Sequence, residues 1–180
     1  MSDLQKATFA SGCFWCTEAV FERVKGVVGD VVSGYAGGQV ENPNYTEVSN
    51  GTTGHAEAVQ FDFDPTIITY EKLVEIFLKT HNPTTLNRQG NDVGPQYRSV
   101  IFYHSPEQKE TAEKVIKQIT DEGIYPDPIV TTVEEFKEFY RAEDYHQDYY
   151  KNNPDQGYCS VVINPKLAKF RKEFESLLKE

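Results

Sequence analysis

Basic residues are scarce in this chain of 180 residues: 18 lysines and arginines stand against 28 aspartates and glutamates, giving a formal net charge of −10. So negative a balance repels nucleic-acid phosphates and anionic lipid surfaces, which excludes both as expected partners. Long apolar runs are missing as well. No stretch approaches the ~20 residues needed to cross a bilayer, and the start, MSDLQKATFA, has no basic segment leading into an apolar run of signal-peptide length. A cytoplasmic protein is therefore expected. Methionine occurs once, at position 1, and that shortage excludes nothing. Cysteine is limited to Cys13, Cys16 and Cys159, an odd number in a chain too large to need disulfide staples. Such usage fits a reducing compartment in which thiols serve chemistry or packing. No glycine fingerprint follows a strand, which argues against a dinucleotide fold, and no repeat or low-complexity tract is present.

What is there is an ordinary globular mixture, 38% hydrophobic and 26% charged, long enough for one domain over residues 1–180 with a core of its own. Ala7 to Ala10 reads as a short strand ending at Ser11-Gly12, followed by a helix carrying Ala19, Val20 and Val24 on one face as far as Gly26. Val27 to Tyr35 reads as a strand with a Gly-Asp break, and residues 37–54 as a long turn-rich loop of the kind that is usually functional or disordered. His55 to Asp64 alternates as a half-buried strand, with Glu57, Val59, Phe61 and Phe63 on one side. A helix is expected over residues 70–80, a polar loop over 82–98, a strand over 99–103, and a helix capped by Ser105-Pro106 that runs to about Glu122. A strand over 129–133, a helix over 142–151, a turn over 152–157 and a closing amphipathic helix over 165–180 complete the chain. The fold class expected is α+β, a two-layer sandwich with a mixed, mainly antiparallel sheet (a ferredoxin-like core) and flanking helices.

The stretch SGCFWCTE places two thiols around the single tryptophan, at a strand-to-helix turn. A cysteine in the first helical turn faces unpaired N–H groups and the positive end of the helix dipole, which favour thiolate, so Cys13 is placed to be a nucleophile. Cys16 lies three residues along the same helix, roughly 5–6 Å away between Cβ atoms, near enough for a disulfide after modest adjustment. Buried cysteine is also a common small hydrophobe, and Phe14 and Trp15 serve equally well as core. A zinc site built from Cys13, Cys16, Cys159 and a histidine is a further alternative, weakened by the absence of a second C-x-x-C or C-x-x-H pair. Cys159, at the entrance to an apolar run, reads as core unless the Asn152–Asp155 turn lets it travel. Glu57, in line with three apolar residues, should have its pKa raised by burial and so be a proton donor near neutrality, unless its strand lies at an edge. Tyr45, Asp92 and Tyr97 taken singly are loop decoration.

Taken together, GCFWC, SGYAGG with PNYTEV, TGHAEAVQFDFDP, RQGNDVGPQYRS, and AEDYHQ with GYC resemble the A-type peptide-methionine sulfoxide reductases, in that family's order and over nearly the whole length. The resemblance implies reduction of the S epimer of methionine sulfoxide, free or in proteins, with Cys13 attacking the sulfoxide sulfur and Glu57 protonating the departing oxygen. It implies that Tyr45 and Tyr97 hydrogen-bond that oxygen, that Asp92 helps hold the polar site, and that Phe14 and Trp15 bound a pocket for the S-methyl group. It also implies a sulfenic acid on Cys13, a disulfide recycled by thioredoxin or a similar dithiol, and no metal or nucleotide cofactor. Many relatives carry glycine at the position of Cys16 and two C-terminal cysteines where this chain has only Cys159. Alignment therefore favours Cys159 as the resolving thiol and helix geometry favours Cys16, and the reading leans to Cys159. A general thiol–disulfide oxidoreductase and a zinc-binding module are the competing functions.

Overall fold

The computed structural model describes residues 3–179. Met1 and Ser2 of the N-terminal reading, and Glu180 at the end of the expected closing helix, lie outside the described residues. Strand β1 (Gln5–Ser11) is followed by α1 (Phe14–Phe21), β2 (Val27–Ala36), α2 (Tyr45–Ser49), β3 (Ala56–Phe63) and α3 (Tyr70–Lys79). Then come the two-residue strands β4 (Arg88–Gln89) and β5 (Asp92–Val93), followed by β6 (Ser99–Tyr103), α4 (Pro106–Asp121), β7 (Thr132–Glu135), β8 (Phe139–Arg141), α5 (Tyr149–Asn152) and α6 (Asn164–Glu173).

Six strands form one sheet in the order β7-β6-β1-β3-β2-β8, antiparallel throughout except for the parallel β6–β7 pair. The mixed, mainly antiparallel sheet with flanking helices is thus the architecture expected for an α+β chain. Alternation decides its faces. Phe9, Val59, Phe61, Phe63 and Ile101 point to a core shared with α1, α3, α4 and α6, whereas Ala10, Ala36, Ala56, Ala58, Val100 and Phe102 form a smaller cluster on the other face, covered by Phe136 and Phe139. Phe9 is the hub of the larger core, with ring centroids 4.9 Å from Phe77 and 5.4 Å from Phe21.

The helix starts follow their caps. Thr69 accepts from Lys72 N at 3.1 Å ahead of α3, and Ser105 accepts from Gln108 N at 3.2 Å ahead of α4, with Pro106 at the first helical position where its missing N–H costs nothing. The Gly-Asp break in β2 is a register irregularity between Val28 and Val32.

Several expectations need correction: α1 ends at Phe21 rather than near Gly26, and the strand expected over 129–133 is Thr132–Glu135. The long loop over 37–54 contains α2, started by a capping box in which Asn44 accepts from Glu47 N and Glu47 accepts from Asn44 N. The loop over 82–98 holds the β4–β5 hairpin and a 3-10 turn, Pro95–Tyr97. The helix expected over 142–151 is only a 3-10 turn, Asp144–His146, and the single turn α5, because Asp148 is left-handed (φ 53°) and interrupts it. β8, which pairs with β2, is too short to leave a sequence period. The closing helix stops at Glu173, where Phe174 leaves helical geometry and tucks into the core. Among the described residues no helix is long and apolar enough to cross a membrane.

Candidate functional site

β1 delivers the chain to Gly12, whose φ of +84° turns it sharply into α1. Cys13 is the N-cap of that helix, with extended backbone and 8% of its surface exposed. Cys16 is its third residue, and Cys16 N donates to Cys13 O at 3.1 Å, so the first turn holds both sulfurs on one side, the two thiols hydrogen-bonded to each other.

Here the expected acidity is reversed. Burial, with the hydrogen bond to Cys16 and the nearby Glu57 carboxyl, pushes the Cys13 thiol well above its usual range. The helix dipole does not offset the loss of water around the sulfur. Cys16 is instead brought down to about 7, chiefly by the hydrogen bond from Cys13 and further by Lys166 and the Tyr158 hydroxyl, against the effect of burial.

Glu57 lies on β3, in the interior of the sheet between β1 and β2, so the edge-strand alternative is eliminated. It pairs in register with Tyr35 and points to the helix-covered face, 1% exposed. Phe14 N donates to its Oε1 at 3.2 Å, while Oε2 is buried without a protein partner. Burial pushes the carboxyl up to about 8, opposed by the Phe14 N–H and assisted by Asp92 and Cys16. Glu57 is therefore a neutral acid at pH 7, placed behind the same helix start that carries Cys13.

The remaining expected residues converge. Tyr45 begins α2, its phenol raised by burial and then by Glu57, with Cys13 among its further electrostatic neighbours. Tyr97, at the end of its 3-10 turn, is raised by burial and then by Glu57, Tyr45, Asp92 and Cys13. Two segments far apart in sequence thus bring two phenols within electrostatic reach of the same carboxyl. Asp92 accepts from the Tyr158 hydroxyl at 2.7 Å, and Tyr158 in turn lies 3.9 Å from Cys16 Sγ. Phe14 is fully buried against Tyr35 and His146. Trp15 is only half-buried and stacks on Tyr149 at 3.7 Å, with the edge of Tyr158 at 5.7 Å. Cys159 is 0% exposed in a π-helical turn, Cys159–Ile163, and is not hydrogen-bonded to either other cysteine.

Three participants escape a reading of the sequence by position. His146, 1% exposed, accepts the indole N–H of Trp15 on Nδ1 at 3.1 Å; because indole only donates, the neutral ring carries its proton on Nε2, which has no protein partner. Glu143 accepts from the Tyr35 hydroxyl at 2.9 Å and from Tyr45 N at 3.0 Å, tying α2 to the strands. Tyr158 bridges Asp92 and Cys16. All three fall in the segments AEDYHQ and GYC, so the signal existed without a geometry to interpret it. Among the described residues the one close group of metal-type ligands is Glu18, Glu22 and Asp148, which contains no cysteine.

Residues 5–178 match the family described as peptide methionine sulfoxide reductase. A peptide methionine sulfoxide reductase of Polynucleobacter asymbioticus is 54% identical over 175 residues, covering 97% of this chain and 92% of that one. Among solved structures, reduced Mxr1 from Saccharomyces cerevisiae superposes with a TM-score of 0.78 at 34% identity, covering 88% of this chain and 92% of that one. Mxr1 in complex with Trx2 gives a TM-score of 0.56 at 27% identity, covering 83% and 88%.

Proposed function

The chain belongs to the peptide methionine sulfoxide reductase family, and from that premise we propose that it reduces the S epimer of methionine sulfoxide to methionine with Cys13 as nucleophile and Glu57 as acid. The observation that carries this reading is the buried, unpartnered Oε2 of Glu57 behind the Cys13 helix start, where burial favours the protonated acid. A sulfoxide has a partly positive sulfur and a partly negative oxygen. A cysteine sulfur on one side and a neutral acid on the other polarise the S–O bond together. The Tyr45 and Tyr97 hydroxyls, kept protonated by burial and by Glu57, donate to the same oxygen.

The step balances as Cys13–SH plus R2S=O giving Cys13–SOH plus R2S. The substrate S–O bond breaks and a Cys13 Sγ–O bond forms, Cys13 loses two electrons, the sulfoxide gains them, and the thiol hydrogen ends on the oxygen. Because burial raises its pKa, Cys13 gives up its proton only as the polarised sulfoxide arrives, which protects the resting thiol from other oxidants. Trp15, held by His146 and Tyr149, and the buried Phe14 form the aromatic wall against which a thioether methyl packs. Asp92 orders this wall through Tyr158 rather than touching the oxygen.

Renewal of the thiols falls to thioredoxin or a similar dithiol, a reading supported by the relative crystallised with Trx2. The chain works as one catalytic domain on a ferredoxin-like core, supported by the succession β1-α1-β2-β3-α3-β6 and the order β6-β1-β3-β2 of those strands. A general thiol–disulfide oxidoreductase needs neither Glu57 nor the two phenols, and is not favoured.

With dithiothreitol as reductant and the two epimers offered separately, the S sulfoxide alone should be consumed, and Cys13→Ser should abolish turnover. Retention of most activity by that variant would refute the assignment.

A further inference from the structure

Resting on that reading, we infer that Gln96 and Arg98 are positioning residues for the reaction. They flank Tyr97 and clamp it to the two segments that carry Tyr45 and Glu57, so that both phenols meet the sulfoxide oxygen together.

Tyr97 has little of its own to hold it. Its ring is half-buried and, among the described residues, belongs to neither apolar cluster and stacks on no other ring, and its hydroxyl has no hydrogen-bond partner. The 3-10 turn that carries it is three residues long, closed by Tyr97 N donating to Gly94 O at 3.0 Å and Arg98 N donating to Pro95 O at 3.3 Å. One such turn orders little beyond itself. Tyr45 differs: it heads α2 behind the capping box, Glu143 accepts from its N–H at 3.0 Å, and its ring lies 4.5 Å from His146. The placement of Tyr97 therefore falls to the residues on either side.

Gln96 is 5% exposed, and its Nε2 donates to Ser49 O at 3.3 Å. A carbonyl only accepts, so the nitrogen end of the amide faces Ser49, and Oε1 is buried without a protein partner. An unsatisfied buried acceptor costs stability, which marks the donor end of this amide as the part the position uses. The side chain folds back over Gly94, where a Cβ would come within 2.3 Å of Oε1. Ser49 is the last residue of α2, one helical turn beyond Tyr45, and its hydroxyl hydrogen-bonds the Tyr45 phenol. Tyr45, Ser49, Gln96 and Tyr97 thus form one continuous link between the two phenols.

Arg98 makes the second attachment. It is half-buried and forms no ion pair among the described residues; its Nη1 donates to Pro95 O and its Nη2 to Gly54 O, each at 2.9 Å. Pro95 opens the Tyr97 turn, and Gly54 lies three residues before Glu57, at the entrance to β3. A planar guanidinium fork spans both carbonyls, which a lysine ammonium on its flexible stem does not. Tyr97 is tied in this way to α2 on one side and to the lead-in of the acid on the other. Neither Gln96 nor Arg98 adds a donor to the substrate. They act through the Tyr97 hydroxyl, whose hydrogen bond gains strength as charge develops on the departing oxygen.

The test is a double-mutant cycle on the chemical step. With the chain in excess over the S sulfoxide and no reductant, methionine release in a single turnover gives a limiting rate and a half-saturating concentration. No release by the parent chain would overturn the proposed function, and this inference with it. Given release, Gln96→Met and Arg98→Lys should each lower the limiting rate about 10–100-fold, on the scale of a misplacement by about 1 Å. Half-saturation should change by no more than about threefold, because the lost interaction belongs to the transition state. In a Tyr97→Phe background the same two changes should cost less than about twofold, since the hydroxyl they serve is gone. Arg98→Lys keeps the charge and one carbonyl contact, so its cycle stands even where Gln96→Met does not fold. Equal fold-losses in both backgrounds would reduce the pair to supports of the fold, and an unchanged limiting rate in the single variants would remove them from the step; either result overturns the inference.

Discussion

Glu57 is the residue on which the proposed chemistry turns, because it must hold a proton at neutral pH while standing next to the reacting sulfur. Its carboxyl is raised to about 8 by burial, so the acid form dominates below that pH and the reductase rate should fall as pH rises through about 8. Glu57→Gln keeps the shape but removes the transferable proton. Turnover with dithiothreitol should drop by roughly 10²–10⁴-fold, the usual contribution of a general acid. The alkaline limb centred near 8 should vanish from the variant's pH profile of kcat. A second residue-scale expectation concerns Cys16, whose lowered pKa depends first on the Cys13 thiol. In Cys13→Ala, titration of thiolate ultraviolet absorbance should find the Cys16 midpoint moved upward from about 7.

At the scale of elements, the site depends on how β1 is joined to α1. Gly12 has φ +84°, and a Cβ built there would lie 2.6 Å from both Cβ and Cγ of Gln89. Gln89 cannot step aside freely, since its amide accepts from Asn82 N and donates to Asn82 O, each at 2.9 Å. Gly12→Ala should therefore cost about 1–3 kcal/mol from the backbone alone, read as a lower urea midpoint, with a further loss of sulfoxide turnover as the Cys13 N-cap shifts. The same logic explains why α1 needs no polar cap. Its first turn is buried, and Glu57 Oε1 from a neighbouring strand accepts from Phe14 N in place of a capping side chain.

For the molecule as a whole, three buried or half-buried acids make stability depend on pH in an unusual direction. Glu57 is raised to about 8, Glu18 to about 7 and Glu22 to about 8, each chiefly by burial. Below the ordinary carboxylate value of 4.5 they are protonated folded or unfolded and cost nothing. Between that value and about 8 the folded chain keeps protons that the unfolded chain sheds, so their contribution falls as pH rises. His81 acts oppositely: burial lowers it from 6.5 to about 3, so its neutral form favours the fold above 6.5 and that stability is lost as pH falls toward 3. Melting temperature measured across pH should peak on the acid side of neutrality. The difference between Glu18→Gln and the parent chain should shift in the variant's favour as pH rises from about 5 to about 8, and a constant difference would show that Glu18 ionises normally.

The residues themselves determined much of this. Alternation in HAEAVQFDFD put Glu57 on the apolar side of a strand, Ser105-Pro106 marked the start of α4, and the strand-to-helix turn at Gly12-Cys13 was legible because glycine and helix periodicity act locally. Only the tertiary structure decided that β3 lies inside the sheet, that His146 and Tyr149 hold Trp15, and that Tyr45 and Tyr97 come within electrostatic reach of the same carboxyl. It also decided which thiol is acidic. Helix position alone predicts a thiolate at Cys13, but solvation and neighbouring charge depend on everything packed around a sulfur, and the elements that surround Cys13 and Cys16 come from distant parts of the chain.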